Sequence, residues 1–319
     1  MVNIPLVTLG IANYNYAQFV TEALDSAASQ TYENCELIIV DDCSKDNSVE
    51  VIQKWLNNYG GNFKITFIKN SKNIGVANVC KLILERASGK YYQILDADDG
   101  IFSTKIAEQV RLLEKEESVA LVYSNISVVN EHNETIEDDY LKRIGYNKNK
   151  MPEGNVFQEL LIFNFIPNTS VLIRTEYAKQ MGGYDQSFQV QDYYLYLTLS
   201  EHFSFLYYDC LTGFYRVHST SLSNNLQSNA KSIEGSLKLQ FLNYSKGNQN
   251  VKANIRKSIF NMAPYFYKHR FSTAAYWLKK NVQFNPGLKS IGYFAAFHLG
   301  IPYSLFDKLK LFFLKRMLS

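Results

Sequence analysis

The sequence predicts an α/β fold with a mostly parallel central sheet flanked by helices. Short apolar runs rich in β-branched residues alternate with amphipathic stretches of helical period through the first part of the chain. The chain has 319 residues, of which 46% are hydrophobic, so it can bury a full core and is not expected to be disordered. Strands separated by helices are typical of right-handed βαβ units, in which successive strands lie parallel.

The predicted strands are short and apolar, and they cover residues 5–12, 36–40, 65–69, 91–95 and 120–129. The helices predicted between them cover residues 19–29, 48–59, 75–87 and 103–116. Further on, residues 165–174 are predicted as another strand and the segment from Val190 as a helix. Open α/β sheets bind ligands beyond the carboxyl ends of their strands. Tyr14, Asp41, Asp42 and the aspartates of residues 96–99 follow such ends, which predicts a nucleotide site there.

Charge divides the chain unevenly. Residues 231–319 carry fifteen lysines and arginines against two acids, whereas the remainder is net acidic. A basic tail on an acidic protein indicates an anionic surface or substrate as partner. The polar stretch 219–231 marks the seam, so we predict a main domain over residues 1–222 and a helical, basic C-terminal extension over residues 223–319.

Three carboxylates follow the predicted strand 91–95 within four positions: Asp96, Asp98 and Asp99. They repel one another and are costly to bury without a cation. Carboxylate oxygens suit Mg²⁺ or Mn²⁺, which in turn hold phosphates. The alternative is an acidic turn in which aspartate caps the helix that begins near Ser103.

The motifs of the first hundred residues carry a family resemblance. A strand ends in ANYN at residues 12–15, QTY follows at 30–32, ELIIVDDCSKDNS at 36–48, and LDADD at 95–99. Their order and spacing resemble those of the inverting GT-A glycosyltransferases of family 2. The resemblance implies a GT-A, Rossmann-like domain with a nucleotide-sugar half over about residues 1–100 and an acceptor half over about residues 101–222.

The resemblance also implies roles for individual residues. Tyr14 offers a ring on which a base stacks, and Asp42 corresponds to the aspartate that accepts a hydrogen bond from uracil N3–H; the alternative for Asp41 and Asp42 is a turn that caps the next helix. The implied nucleotide-sugar site comprises Ala12, Asn13, Tyr14, Asp42, Asn73, Asp96, Ala97, Asp98 and Arg216. The implied ligands of a Mn²⁺ or Mg²⁺ cofactor are Asp98, Asp99 and His218, and the resemblance leaves open which aspartate binds metal and which faces the ribose.

The acceptor half carries three further motifs. MGGYD at residues 181–185 resembles the family's G-G-(Y/F)-D turn, whose glycines permit positive φ. VQDYYLYL at 190–197 resembles E-D-(Y/W)-(D/E)-L, which implies that Asp192 is the catalytic base; the alternative is that Asp192 only caps this helix. YRVHSTSLS at 215–223 resembles Y-R-x-H-x-x-S-x-S, from which the roles of Arg216 and His218 are taken.

Two positions depart from the family pattern. Gln191 stands where the family has glutamate, and Cys80 and Lys81 stand where an Arg-Asn pair is common. These departures keep open a second hypothesis, a catalytically inactive GT-A module that binds nucleotide or glycan within a synthase complex. A third hypothesis, a nucleotidyltransferase, requires a glycine-rich phosphate loop after the first strand, and residues 13–16 (NYNY) are no such loop.

The resemblance therefore implies an inverting transfer of a hexose or N-acetylhexosamine from a nucleoside diphosphate, with UDP favoured, to a glycan hydroxyl. By resemblance, the setting is bacterial surface polysaccharide, capsule or lipopolysaccharide synthesis with an acceptor that is often lipid-linked, and we expect no nucleic-acid partner. The start of the chain lacks a signal-peptide pattern and its four cysteines lack ligand-like spacing, so we expect a cytoplasmic protein, at the cytosolic face of the inner membrane if its acceptor is lipid-linked.

The C-terminal region is predicted to be helical over residues 251–267 and 271–283, with a last apolar and basic segment over 290–318. The apolar run is too short and too polar for a membrane span. Two readings remain open: an amphipathic basic helix lying on an anionic membrane surface, or helices packed on the catalytic domain with a solvated basic face.

Overall fold

The computed structural model describes residues 4–221 and 226–308. Within these residues the strands, in chain order, are β1 (Val7–Asn13), β2 (Cys35–Asp41), β3 (Lys64–Lys69), β4 (Tyr91–Asp96), β5 (Gly100–Ile101), β6 (Val119–Val129), β7 (Thr135–Glu137), β8 (Leu172–Arg174) and β9 (Ser204–Arg216). They form one mixed sheet in the order β3-β2-β1-β4-β8-β6-β9-β5, with β7 paired to β6. The first four strands are parallel, and so is the long β6–β9 pair, whereas β8 and β5 run antiparallel to their neighbours.

The helices of the described residues are α1 (Val20–Ala28), α2 (Ser48–Asn58), α3 (Val76–Arg86), α4 (Lys105–Leu113), α5 (Tyr140–Arg143), α6 (Phe157–Ile162), α7 (Thr175–Gln180), α8 (Gln191–Ser200), α9 (Leu226–Leu242), α10 (Gln249–Lys268), α11 (Ala274–Phe284) and α12 (Leu288–His298). The strands and helices predicted over the first 130 residues are all confirmed, with ends shifted by at most three residues. None of these helices is long and apolar enough to cross a bilayer.

The chain divides into two compact units, Met1–Ser236 and Leu237–Ser319. In the first unit β1, β2 and β4 are almost wholly buried, and their apolar side chains pack against α1 and α4. In the second unit α10, α11 and α12 pack around buried Ile259, Phe266 and Trp277. The predicted domain boundary at residues 222 and 223 lies outside the described residues.

The prediction of a strand over residues 165–174 is wrong for most of its length. Asn168–Ser170 form a 3₁₀ turn, and only Leu172–Arg174 pair as β8. Buried side chains take up the backbone carbonyls here: Gln93 Nε2 donates to Thr169 O, and Gln109 Nε2 donates to Ser170 O. Because distant side chains satisfy these groups, the segment needs no strand ladder to be buried.

Two other segments also differ from prediction. The short strand β7, in the acidic stretch 131–139, and the long strand β9 were not predicted. Of the predicted last segment 290–318, the structure describes α12 and the residues up to 308, and residues 309–319 lie outside the described residues.

A close approach of two backbones joins β5 to β9. Gly100 and Ile101 pair with Phe214 and Gly213 in antiparallel register. A β-carbon at Gly213 would collide with the carbonyl oxygen of Gly100, and one at Gly100 would collide with the ring of Phe214. Since β5 follows Asp99 directly and β9 ends at Arg216, this crossing places the end of β9 beside the aspartate cluster.

Candidate active site

A cavity of about 1160 Å³ lies at the carboxyl ends of β1, β2 and β4. Seven of the residues predicted to bind the nucleotide sugar line it: Ala12, Asn13, Tyr14, Asp42, Asn73, Asp96 and Asp98. The remaining predicted site residues, Ala97, Asp99, Asp192, Arg216 and His218, are not among its lining residues.

Hydrogen bonds to the loop after β2 hold the loop after β1 in place. Asn13 Nδ2 donates to Asp41 Oδ2 over 2.7 Å, and the Asn15 backbone N–H donates to Ser44 Oγ over 2.9 Å. Asn13 Oδ1 is buried and has no hydrogen-bond partner among the residues that the structure describes. The Tyr14 side chain is 41% exposed at the cavity, so its ring is available to a flat ligand.

Asp42 fixes the loop that precedes α3. Its Oδ1 accepts from Asn70 Nδ2 and from the Ile74 backbone N–H, and its Oδ2 accepts from the Gly75 backbone N–H, over 2.8–2.9 Å. Asn73 Nδ2 donates to the Asp42 carbonyl oxygen over 3.2 Å. The carboxylate that the sequence associates with the base thus also orders this wall of the cavity.

The aspartate cluster after β4 concentrates negative charge in a buried place. Burial, together with the charges of Asp98 and Asp192, raises the pKa of Asp96 to about 7. Burial and the charges of Asp98 and Asp96 raise the pKa of Asp99 well above its usual range. A cation at the cluster would relieve this repulsion.

Asp98 and His218 form a close pair beside the cavity. His218 Nε2 lies 3.1 Å from Asp98 Oδ2, and both residues are buried. The other ring nitrogen, Nδ1, lies 2.8 Å from Thr220 Oγ1, and Thr220 itself lines the cavity. The Phe19 ring packs against the imidazole with 4.5 Å between ring centroids. The hydroxyl and the ring therefore fix the orientation of the imidazole toward Asp98.

Asp99 and Arg216 form hydrogen bonds with other groups of the protein. Asp99 accepts hydrogen bonds from Thr169 Oγ1 over 2.5 Å and from the Arg216 backbone N–H over 3.0 Å. The Arg216 guanidinium is 1% exposed; it donates to the carbonyl oxygens of Asp98 and Asn130 and to the side chains of Asn133 and Glu22. These contacts tie β9 to the aspartate cluster and to α1.

Asp192 lies in the first turn of α8, and the preceding Gln191 lines the cavity. Burial raises the pKa of the Asp192 carboxyl above its usual range, and a hydrogen bond with Asn164 opposes that rise. The charge of Asp192 contributes to the raised pKa of Asp96, so the two carboxylates are electrostatic neighbours. A carboxylate in these surroundings has the chemistry of a general base.

The structure shows where the residues that depart from the family pattern lie. Cys80 is buried in α3, and Lys81 is exposed and is not among the residues that line the cavity. Gln191 lines the cavity together with Gln189, Tyr16 and Tyr215, which the sequence did not single out as site residues. Tyr16 could have been predicted from the sequence, since it follows the ANYN turn directly. Gln189 could not, because only the position of α8 in the fold brings it to the cavity. Gly182 and Gly183 adopt φ of 85° and 68°, as the turn motif predicts.

Known proteins resemble this chain in sequence and in fold. The family model for glycosyl transferase family 2 matches residues 8–181. An uncharacterized glycosyltransferase of Haemophilus influenzae is 29% identical over 56% of this chain and 55% of its own length. The Escherichia coli protein named UDP-Glc:alpha-D-GlcNAc-diphosphoundecaprenol beta-1,3-glucosyltransferase WfaP is 33% identical over 69% of this chain and 80% of its own length. This chain thus spans only about half of the first relative and most of the second.

Two solved structures share the fold. The mannosyltransferase PcManGT from Pyrobaculum calidifontis, in complex with GDP-Man and Mn²⁺, has a TM-score of 0.61 at 16% identity and covers 93% of this chain and 81% of its own. Staphylococcus aureus TarS 1–349 in complex with UDP-GlcNAc has a TM-score of 0.56 at 13% identity and covers 92% of each chain. The GT-A architecture expected from the motifs is confirmed, and the chain belongs to glycosyl transferase family 2.

Proposed function

We propose that this chain is an inverting, metal-dependent glycosyltransferase that moves a hexose or N-acetylhexosamine from a UDP-sugar to a hydroxyl of a glycan acceptor. The observation that carries the proposal is a cavity lined by Tyr14, by Asp98, which pairs with His218 behind it, and by the first residue of the helix that bears Asp192. We assign catalysis to residues 1–222. The names of the E. coli and S. aureus relatives, which mention UDP-Glc and UDP-GlcNAc, support UDP as the carrier.

Donor binding follows from the walls of the cavity. Tyr14 stacks on the base, and the Asn13 amide and the Asp42 carboxylate meet the polar edge of the base. Asn13 Oδ1 supports this role because it is a buried acceptor without a donor in residues 4–221 and 226–308. Asp96 faces the ribose at the end of β4, beside Ala97.

The residues present fit a divalent cation. A carboxylate and an imidazole lie 3.1 Å apart beside the cavity, and burial with the charges of Asp98 and Asp192 raises the pKa of the nearby Asp96. No three His, Cys, Asp or Glu side chains converge as a metal site in residues 4–221 and 226–308. Mg²⁺ and Mn²⁺ are commonly held by one or two protein ligands with substrate phosphates completing the shell. We assign Asp98 and His218 as ligands; Asp99 and Arg216 position the segments that carry them. When bound, the cation neutralises the charge of the departing diphosphate.

Asp192 is the proposed base. It takes the proton from the acceptor hydroxyl, whose oxygen forms a bond to the anomeric carbon. The bond from that carbon to the diphosphate oxygen breaks on the opposite face, and the nucleoside diphosphate leaves with the electron pair. Burial, by raising the pKa of Asp192, makes it a stronger base than a solvated aspartate.

The acceptor is proposed by analogy with the E. coli relative, whose name specifies a saccharide linked to diphosphoundecaprenol. A lipid-linked acceptor would place the reaction at the cytosolic face of the inner membrane, in the assembly of a surface polysaccharide, capsule or lipopolysaccharide. Gln191 and Gln189, which line the cavity near Asp192, are the proposed contacts for acceptor hydroxyls.

Thermal unfolding with a panel of nucleotide sugars, each with and without Mn²⁺, tests the proposal. A ligand that binds the folded state alone raises the melting temperature as its concentration exceeds Kd. We expect stabilisation by UDP or one UDP-sugar, larger with Mn²⁺ and reduced in Asp98→Asn. A shift without turnover toward any glycan would favour the inactive module. No shift with any nucleotide would overturn the proposal.

A further inference from the structure

One face of α12 carries an exposed apolar stripe, which we define as Leu288, Ile291, Ala295 and Leu299. Leu288 is 91% exposed, Leu299 is 75% and Ile291 is 49%. The spacing of three, four and four residues keeps these side chains within an arc of about 80° around the helix. A continuous exposed stripe of this kind marks a contact surface more often than scattered apolar residues do.

The packing of the opposite face fixes the direction of the stripe. Ser290, Tyr293 and Ala296 are buried against the rest of the second unit. The Tyr293 ring stacks on Tyr303 with 5.9 Å between centroids and packs on Phe306 at 5.1 Å. The helix is therefore held by one face, and its apolar stripe faces solvent.

The second unit, which carries this stripe, has a large excess of positive charge. Residues 237–308 contain eleven lysines and arginines against a single acid, Asp307. Arg256, Lys257 and Lys279 are among the exposed ones. A cationic body with an exposed apolar stripe is complementary to an anionic lipid surface, because the charges attract lipid headgroups and the stripe enters the acyl boundary.

We propose that the stripe on α12 docks the chain on an anionic membrane surface. A second copy of this chain is the weaker candidate, because two such cationic units repel each other. Four side chains also supply little of the roughly 800 Å² that each partner of a stable dimer buries. At eleven residues α12 is about 16 Å long, so it lies along the surface and does not cross the core.

Vesicle co-sedimentation of the full chain, without nucleotide or acceptor, tests this proposal separately from the proposed sugar transfer. We expect binding to vesicles of phosphatidylcholine with phosphatidylglycerol, at most weak binding to phosphatidylcholine alone, and weakening of the bound state with salt. Leu288→Ser/Leu299→Ser should reduce partitioning about tenfold, since lipid anchoring scales with buried apolar area.

The matched control is Ile4→Ser/Ile136→Ser, which removes two apolar side chains of 50% and 52% exposure from the first unit and should leave binding unchanged. Far-ultraviolet circular dichroism verifies that each variant is folded. Equal binding by Leu288→Ser/Leu299→Ser and the parent chain would overturn the proposal. So would self-association, measured by light scattering, that this double variant abolishes, because the stripe would then be a contact between copies.

Discussion

The two halves of the first unit build their shares of the site in different ways. In residues 4–75, partners about thirty positions apart or closer hold the loops after β1 and β2: Asp41 accepts from Ser44 three positions on, and Asp42 accepts from the Gly75 backbone N–H. In residues 101–221 the bonds reach back more than a hundred positions, from Arg216 to Asp99 and from His218 to Asp98. The residues proposed to bind the base thus lie on loops held by partners close in the sequence, whereas the residues proposed for metal binding and catalysis depend on contacts across the whole fold.

The largest expected effect is a loss of turnover caused by a substitution in residues 101–221. Asp192→Asn should lower turnover about 10³-fold or more, because the amide cannot accept the acceptor proton. Binding of UDP with Mn²⁺, measured by thermal shift, should persist, since the donor residues lie on the other half. Asp138→Asn removes an exposed carboxylate that does not line this cavity and should leave turnover unchanged. Full activity of Asp192→Asn would remove Asp192 as the base.

The second prediction compares how much Arg216 and Asp42, which hold the loops of the two halves, contribute to the free energy of unfolding. Arg216→Met should lower the free energy of unfolding by about 4 kcal/mol, because it removes a buried cation with several acceptors. Asp42→Asn should cost about 2 kcal/mol, because one of its oxygens still accepts from the loop of residues 70–75. Urea unfolding measures both. A larger loss for Asp42→Asn would break the contrast between the halves.

The third prediction concerns the hydroxyl behind His218. Thr220→Val keeps the size of the side chain but removes the contact to Nδ1, which is 2.8 Å long. Mn²⁺ affinity, measured by titration calorimetry in the presence of UDP, should fall about 10- to 100-fold. Affinity for UDP without metal should be unchanged, and Thr220→Ser should restore metal affinity. Unaltered Mn²⁺ binding in Thr220→Val would show that the hydroxyl does not position the imidazole.

The smallest expected effect is a displacement of the pH profile. Because burial raises the pKa of Asp192, the acid limb of kcat/KM should lie above the usual aspartate range, with activity lost as the pH falls through it. The Asn164 hydrogen bond lowers that pKa, so Asn164→Ala should move the limb to higher pH. Asn147→Ala, in an exposed turn, should leave the limb in place. If the acid limb does not shift in Asn164→Ala, a group other than Asp192 causes it.

The difference between contacts that are close and contacts that are distant in the sequence also explains which features could be predicted from the sequence. The motifs around Tyr14, Asp42 and Asp98 follow strands whose alternation with helices is visible in the chain, and seven predicted residues do line one cavity. The wrong or missing strand predictions lie in residues 101–221. The turn at Asn168–Ser170 exists because Gln93, Gln109 and Lys105 take up backbone carbonyls from across the fold, which no local pattern encodes.

Arg216 is a further example of this limit. Its motif implies a place in the nucleotide-sugar site, but its guanidinium donates to Asn130, Asn133 and Glu22. The strand that carries it, β9, contains Asp209 and Gly213, both of which weaken a strand prediction. Pairing with β6 along most of its length overrides that local preference.

The crossing of Gly100 with Gly213 has a consequence for how this chain can vary. The two glycines lie 113 positions apart in the sequence, yet a β-carbon on either one would collide with an atom of the strand that carries the other. A saturation library at the two positions should therefore retain glycine at both, and a substitution at one should not rescue a substitution at the other. The pairing of β5 with β9 at these two glycines thus helps to set the distance between the aspartate cluster and His218.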